Sequence, residues 1–100
     1  MKTERITLTC KLTSPELQKR RATVIRALKD LLLNKEGIAE GLRFTFPNHD
    51  EVLDKLIAFI KSERLCCEFF TFRLLIRETA ILEITGPEGS KEFLEQEVGF

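Results

Sequence analysis

The chain has no tryptophan and no tyrosine, one histidine, one methionine, three prolines and five glycines in 100 residues. Each scarcity excludes something. With neither Trp nor Tyr, all eight aromatic side chains are phenylalanines, plain hydrophobes with no hydroxyl or N–H to satisfy in a core. A Ser-His-Asp triad would have to use His49, and H-E-x-x-H cannot be written. Neither G-x-G-x-x-G nor a Walker A loop occurs. Charge of one sign is missing too: sixteen Lys plus Arg cancel sixteen Asp plus Glu. That balance removes the global positive field expected of a dedicated nucleic-acid binder. No apolar run approaches the roughly 20 residues needed to span a bilayer. The opening MKTERITLTCKLT holds no apolar block, so no signal peptide is expected and the cytoplasm is the default setting. What is present, 43% apolar and 32% charged residues, is the composition of one soluble globular domain spanning residues 1–100.

Periodicity divides the chain. Ile6, Leu8, Cys10 and Leu12 alternate with Thr7, Thr9 and Lys11, the pattern of a half-buried strand. Thr13-Ser14-Pro15-Glu16 then opens a helix with a hydroxyl, a preset φ and an acid at its positive end. Its apolar stripe is Leu17, Val24, Ile25, Leu28, Leu31 and Leu32, and Lys19, Arg20, Arg26 and Lys29 form a basic outer face. Asn34 to Gly41 reads as a stop and a connection. Leu42, Phe44 and Phe46 make a second strand ended by Pro47. Asn48 and Glu51 have capping-box spacing for a second helix with the core stripe Leu53, Leu56, Ile57, Ile60 and Cys67. Phe70 to Ile76 and Ala80 to Ile84 alternate as a hairpin around Glu78-Thr79, and a final helix buries Phe93 and Leu94.

The predicted order is β-α-β-α-β-β-α, and right-handed crossovers make the first three strands locally parallel and the fourth antiparallel. Each strand has one apolar and one mixed face. The expected fold is therefore α+β, a two-layer sandwich with a four-stranded mixed sheet and helices on one face. The opposite face would carry Arg43, Thr45, Thr71, Arg73, Leu75, Arg77, Ile81 and Glu83, beside Thr7, Thr9 and Lys11. It is too polar for a core, and Leu75 and Ile81 suit a contact with a second copy of the chain.

The chemistry concentrates at Cys66 and Cys67. Adjacent thiols bind soft metals and metalloids, and Arg64 would lower a thiol pKa. Glu63 lies one helical turn before Cys67 and could accept a thiol proton or complete a ligand set. Structural zinc wants four ligands at C-x₂₋₄-C spacing, which CC does not supply, and His49 lies in the first turn of its helix, far from the pair. Cys67 and Arg73 match C-x₅-R, but the run passes from helix to strand, and Glu68 and the phenylalanines between them would repel and block an oxyanion. Lys19-Arg20-Arg21 with Arg26 and Lys29 makes a basic stripe on the first helix, read as a solvated face because it lacks the interleaved aromatics of a nucleic-acid platform.

The segment Glu63-Arg64-Leu65-Cys66-Cys67-Glu68-Phe69-Phe70-Thr71-Phe72, with Ile84-Thr85-Gly86-Pro87-Glu88-Gly89 after it, resembles a group of small, mostly uncharacterised bacterial proteins. These share E-R-x-C-C-P-F-x-x-F and I-T-G-P-E-G. The resemblance covers roughly the C-terminal 40 residues, implies an intracellular bacterial protein and carries Glu63, Arg64, Cys66 and Cys67 over as candidate site residues. Glu68 stands where that group has proline. Two readings follow. In one, Cys66 and Cys67 with Glu63 and Arg64 form a soft-ligand or thiol-reactive site whose candidate ligand is a thiophilic metal ion, though the sequence requires none; an enzyme using Cys67 and Glu63 is a variant of it. In the other, the cysteines are core packing and the open sheet face makes a homodimer.

Overall fold

A computed structural model describes residues 15–100. The elements run α1 (Pro15–Leu31), β1 (Asn34–Ile38), β2 (Gly41–Pro47), α2 (Asp50–Cys66), β3 (Thr71–Ile76), β4 (Thr79–Thr85) and α3 (Ser90–Glu97). The strand expected at Ile6 to Leu12, the Thr13-Ser14 cap and Cys10 lie outside the described residues. The four strands form one sheet in the order β1-β2-β4-β3.

The fold is α+β with the helices on one face, as the alternation implies, but two details differ. From the first helix onward the described elements run α-β-β-α-β-β-α where α-β-α-β-β-α is expected, one strand more. Every described pairing is antiparallel, so among the described residues the sheet is antiparallel where a mixed one is expected; the β3–β4 hairpin is as expected. β2 and β3 do point the same way, as a helical crossover requires, yet β4 lies between them.

The connection expected at Asn34 to Gly41 contains β1 instead. Four of its five residues are exposed and Ile38 is its one large apolar side chain, the profile of a short polar edge strand with no alternation to read. A two-residue turn at Ala39-Glu40 follows, with Glu40 at φ 59°. The next residue, Gly41, has no alternative. A Cβ there would collide with the carbonyl oxygen of Ile84, so β2 could not close on β4.

Alternation on β2 and β4 sends Leu42, Phe44, Phe46, Ala80, Leu82 and Ile84 into the core, where they meet Leu28 of α1, Val52, Leu56 and Phe59 of α2, and Leu94 of α3. Phe100 returns to this centre, its ring 4.9 Å from that of Phe44 and 5.8 Å from that of Phe59. A second aromatic group joins Phe69, Phe70, Phe72 and Phe93 at the other end. Each fully buried Phe or Leu contributes about 1.5–3 kcal/mol of transfer free energy.

Two local expectations for α2 are corrected. Asn48 does not cap it: its Nδ2 donates to the Arg77 carbonyl at 2.7 Å, tying the helix start to the β3–β4 turn, and His49 holds the N-cap position without a side-chain bond. The buried stripe is also rotated. It runs Val52, Leu56, Phe59 and Glu63, while Ile57 is exposed and Leu53 and Ile60 are half-buried. The Phe59 ring takes the inward position, and Ile60 packs half-buried beside the core. No helix of the described residues is long and apolar enough to cross a membrane.

Candidate functional site

The four residues singled out around the cysteines do not share one environment. Arg64 is exposed on the last turn of α2, and Cys66 is the helix's final residue. Cys67 is the C-cap, at φ −129° and ψ 75°, and its backbone N–H donates to the Glu63 carbonyl at 2.6 Å. Because the helix ends there, the 100° turn between successive helical residues does not set the direction of Cys67. Cys67 and Glu63 are both buried, with relative exposures of 0% and 1%.

What neutralises a buried carboxylate is Arg21. Its Nε and Nη2 donate to the two carboxylate oxygens of Glu63, the second at 3.2 Å, in a forked pair joining α1 to α2. Arg21 Nη2 also lies 3.7 Å from Oε1 of Glu97 on α3, so one guanidinium links all three helices. Burial works against the Arg21 charge, but the hydrogen bond and charge of Glu63, with Glu97, outweigh it and raise its pKa above the ordinary value. The nearby thiol is held in its neutral form: burial first, then the Glu63 charge, push Cys67 up to about 12 against a partial opposing pull from Arg21. At neutral pH Cys67 is a protonated thiol inside a core, and Arg64 is not the cation that sets its ionisation. Among the described residues no three His, Cys, Asp or Glu side chains gather as a metal-holding group.

Arg21 is hidden within Lys19-Arg20-Arg21, which reads as an exposed basic run. Its spacing gives the signal: Val24, Ile25 and Leu28 follow at three, four and seven residues, so Arg21 shares the face of α1 that packs inward. Glu97 has no comparable signal in the sequence.

The second constellation lies on the sheet face away from the helices. Register places Glu36, Arg43, Glu83 and Arg73 side by side across β1, β2, β4 and β3. Their charges alternate and their side chains bond in a row. Arg43 Nη1 meets Glu36 at 3.1 Å, Arg43 Nε meets Glu83 at 2.8 Å and Arg73 Nη1 meets Glu83 at 3.3 Å. The hydrogen bond that Arg43 donates to Glu83, ahead of any desolvation, holds its guanidinium above the ordinary pKa. The next row on the same face is Asn34, Thr45, Ile81 and Leu75. None of these open-face residues belongs to the core cluster, and Leu75 is 37% exposed. No protein-family model, curated protein or solved structure matches the chain.

Proposed function

We propose that this domain is a cytoplasmic interaction module that pairs with a second copy of itself through the open face of its sheet. The observation that carries the reading is the row Glu36–Arg43–Glu83–Arg73: an ordered, alternating set of charges beside Leu75 and Ile81 on a face that no described element covers. A sheet needs only one apolar face to fold, so ordered ion pairs and an exposed leucine on the other face are surplus to the fold and suit a complementary surface. The vicinal-thiol reading finds less support, because Cys67 is sealed, its thiol stays protonated at neutral pH, and Glu63 is engaged by Arg21. The test is sedimentation of Leu75→Glu against the parent. The parent sediments as a dimer at high concentration and the variant as a monomer of unchanged circular dichroism; identical profiles remove the proposal.

A further inference from the structure

The order of charges across the sheet specifies how two copies would face each other, an inference that rests on the self-pairing reading above. Reading from β1 to β3 the row runs minus, plus, minus, plus: Glu36, Arg43, Glu83, Arg73. Two sheets packed face to face are related by a two-fold axis lying in the plane between them, and there are two principal directions for it. An axis along the row sets each residue on its own copy, Glu36 on Glu36 and Arg43 on Arg43, stacking like charges four times over. An axis along the strands, over the seam between β2 and β4, reverses the row. Glu36 then faces Arg73 of the second copy, and Arg43 faces its Glu83. Every facing pair is attractive because the row is antisymmetric about its centre.

We infer that the chain dimerises about an axis parallel to β2 and β4, with Glu36 and Arg73 as the reciprocal outer contacts. Neighbouring strands lie about 4.8 Å apart, so each outer residue sits roughly 7 Å from that axis. Packed sheets are rotated by about 30°, which displaces the outer partners along the strands by under about 4 Å, a distance that an arginine side chain spans. Glu36 and Arg73 are also the most exposed members of the row, at 49% and 64%, against 8% for Glu83, so they reach furthest toward a partner.

The experiment mixes two single variants, Glu36→Lys and Arg73→Glu, each confirmed as folded by circular dichroism. In either homodimer the outer contacts become like-charged twice, so each variant alone loses self-association by about tenfold or more. In the mixture, the introduced lysine of one variant faces the introduced glutamate of the other, and the remaining outer pair keeps its native glutamate and arginine. A 1:1 heterodimer therefore reappears on mixing in sedimentation equilibrium, although the altered pairing within each chain is not repaired. Two results overturn the axis: variants that stay dimeric alone, or a mixture that stays monomeric. A parent protein that is monomeric throughout instead removes the self-pairing reading itself.

Discussion

Arg21 and Arg43 each grip a glutamate from a distant part of the chain, one between helices and the other across a sheet face that no described element covers. The fork from Arg21 to Glu63 sits with a carboxylate 1% exposed, beside a thiol of 0% exposure. There the surrounding protein has replaced water, and neither charge can lose its partner cheaply. The pair from Arg43 to Glu83 is continued by Glu36 and Arg73, both of which remain in solvent. Water screens the outer charges, Glu36 and Arg73, so their contacts add little to folding and stay available to another surface, while Glu83 at the middle of the row is itself buried. Both glutamates are thus buried, and the contrast lies in the arginines: Arg21 is 13% exposed, Arg43 and Arg73 36% and 64%.

The largest effect expected from breaking this contrast is on the inner pair. Glu63→Ala leaves the largely buried Arg21 guanidinium to Glu97, 3.7 Å away, and urea denaturation should show a loss of about 3–5 kcal/mol. Combining Glu63→Leu with Arg21→Met removes both charges together, and most of that loss should return. A double variant as unstable as the single one would contradict the fastening role. Next comes the thiol. Its folded pKa, about 12, lies above its ordinary 9.0, so the proton is bound more tightly in the folded state. That stabilising contribution is complete below about pH 9 and is lost as pH rises toward about 12. Chemical denaturation across this window should show a steeper decline for the parent than for Cys67→Ala, which itself costs roughly 1 kcal/mol at neutral pH. Equal slopes would mean that the thiol ionises as easily folded as unfolded.

The outer row should respond more weakly in folding. Glu83→Gln removes the charge shared by Arg43 and Arg73 but keeps one amide oxygen to accept from them, so the stability loss should be smaller than that for Glu63→Ala. Self-association should fall further than stability does, since the facing charges lose their complement. The smallest effect is that of salt. Raising ionic strength toward 1 M shortens the screening length to about 3 Å, which should weaken the dimer while hardly moving the unfolding midpoint. A dimer that tightens with salt would point to an apolar contact instead of the row.

The two-layer α+β architecture is legible in the sequence because Leu42, Phe44, Phe46, Ala80, Leu82 and Ile84 alternate without exception, and all are buried. The open face is legible for the same reason, since Arg43, Thr45, Arg73 and Glu83 occupy the intervening positions. β1 escapes because an edge strand of Asn, Lys, Glu and Gly has no apolar face to betray it. The β3–β4 hairpin is legible from its short turn, but the antiparallel pairing of β2 with β4 escapes, because insertion of β4 between β2 and β3 is a long-range choice that local periodicity does not encode. The thiol neighbourhood is half legible: one-turn spacing puts Glu63 near Cys67, but the cation beside them is Arg21 from another helix, not the adjacent Arg64. The rotation of α2 toward Phe59 explains this, for it carries Glu63 inward and leaves Arg64 in solvent.

The central claim, that the uncovered sheet face binds a second copy, is tested most directly by light-scattering mass across a dilution series of the parent chain at low salt. The mass should approach twice 11.6 kDa at the concentrated end and fall to 11.6 kDa on dilution. A mass fixed at 11.6 kDa throughout would contradict it.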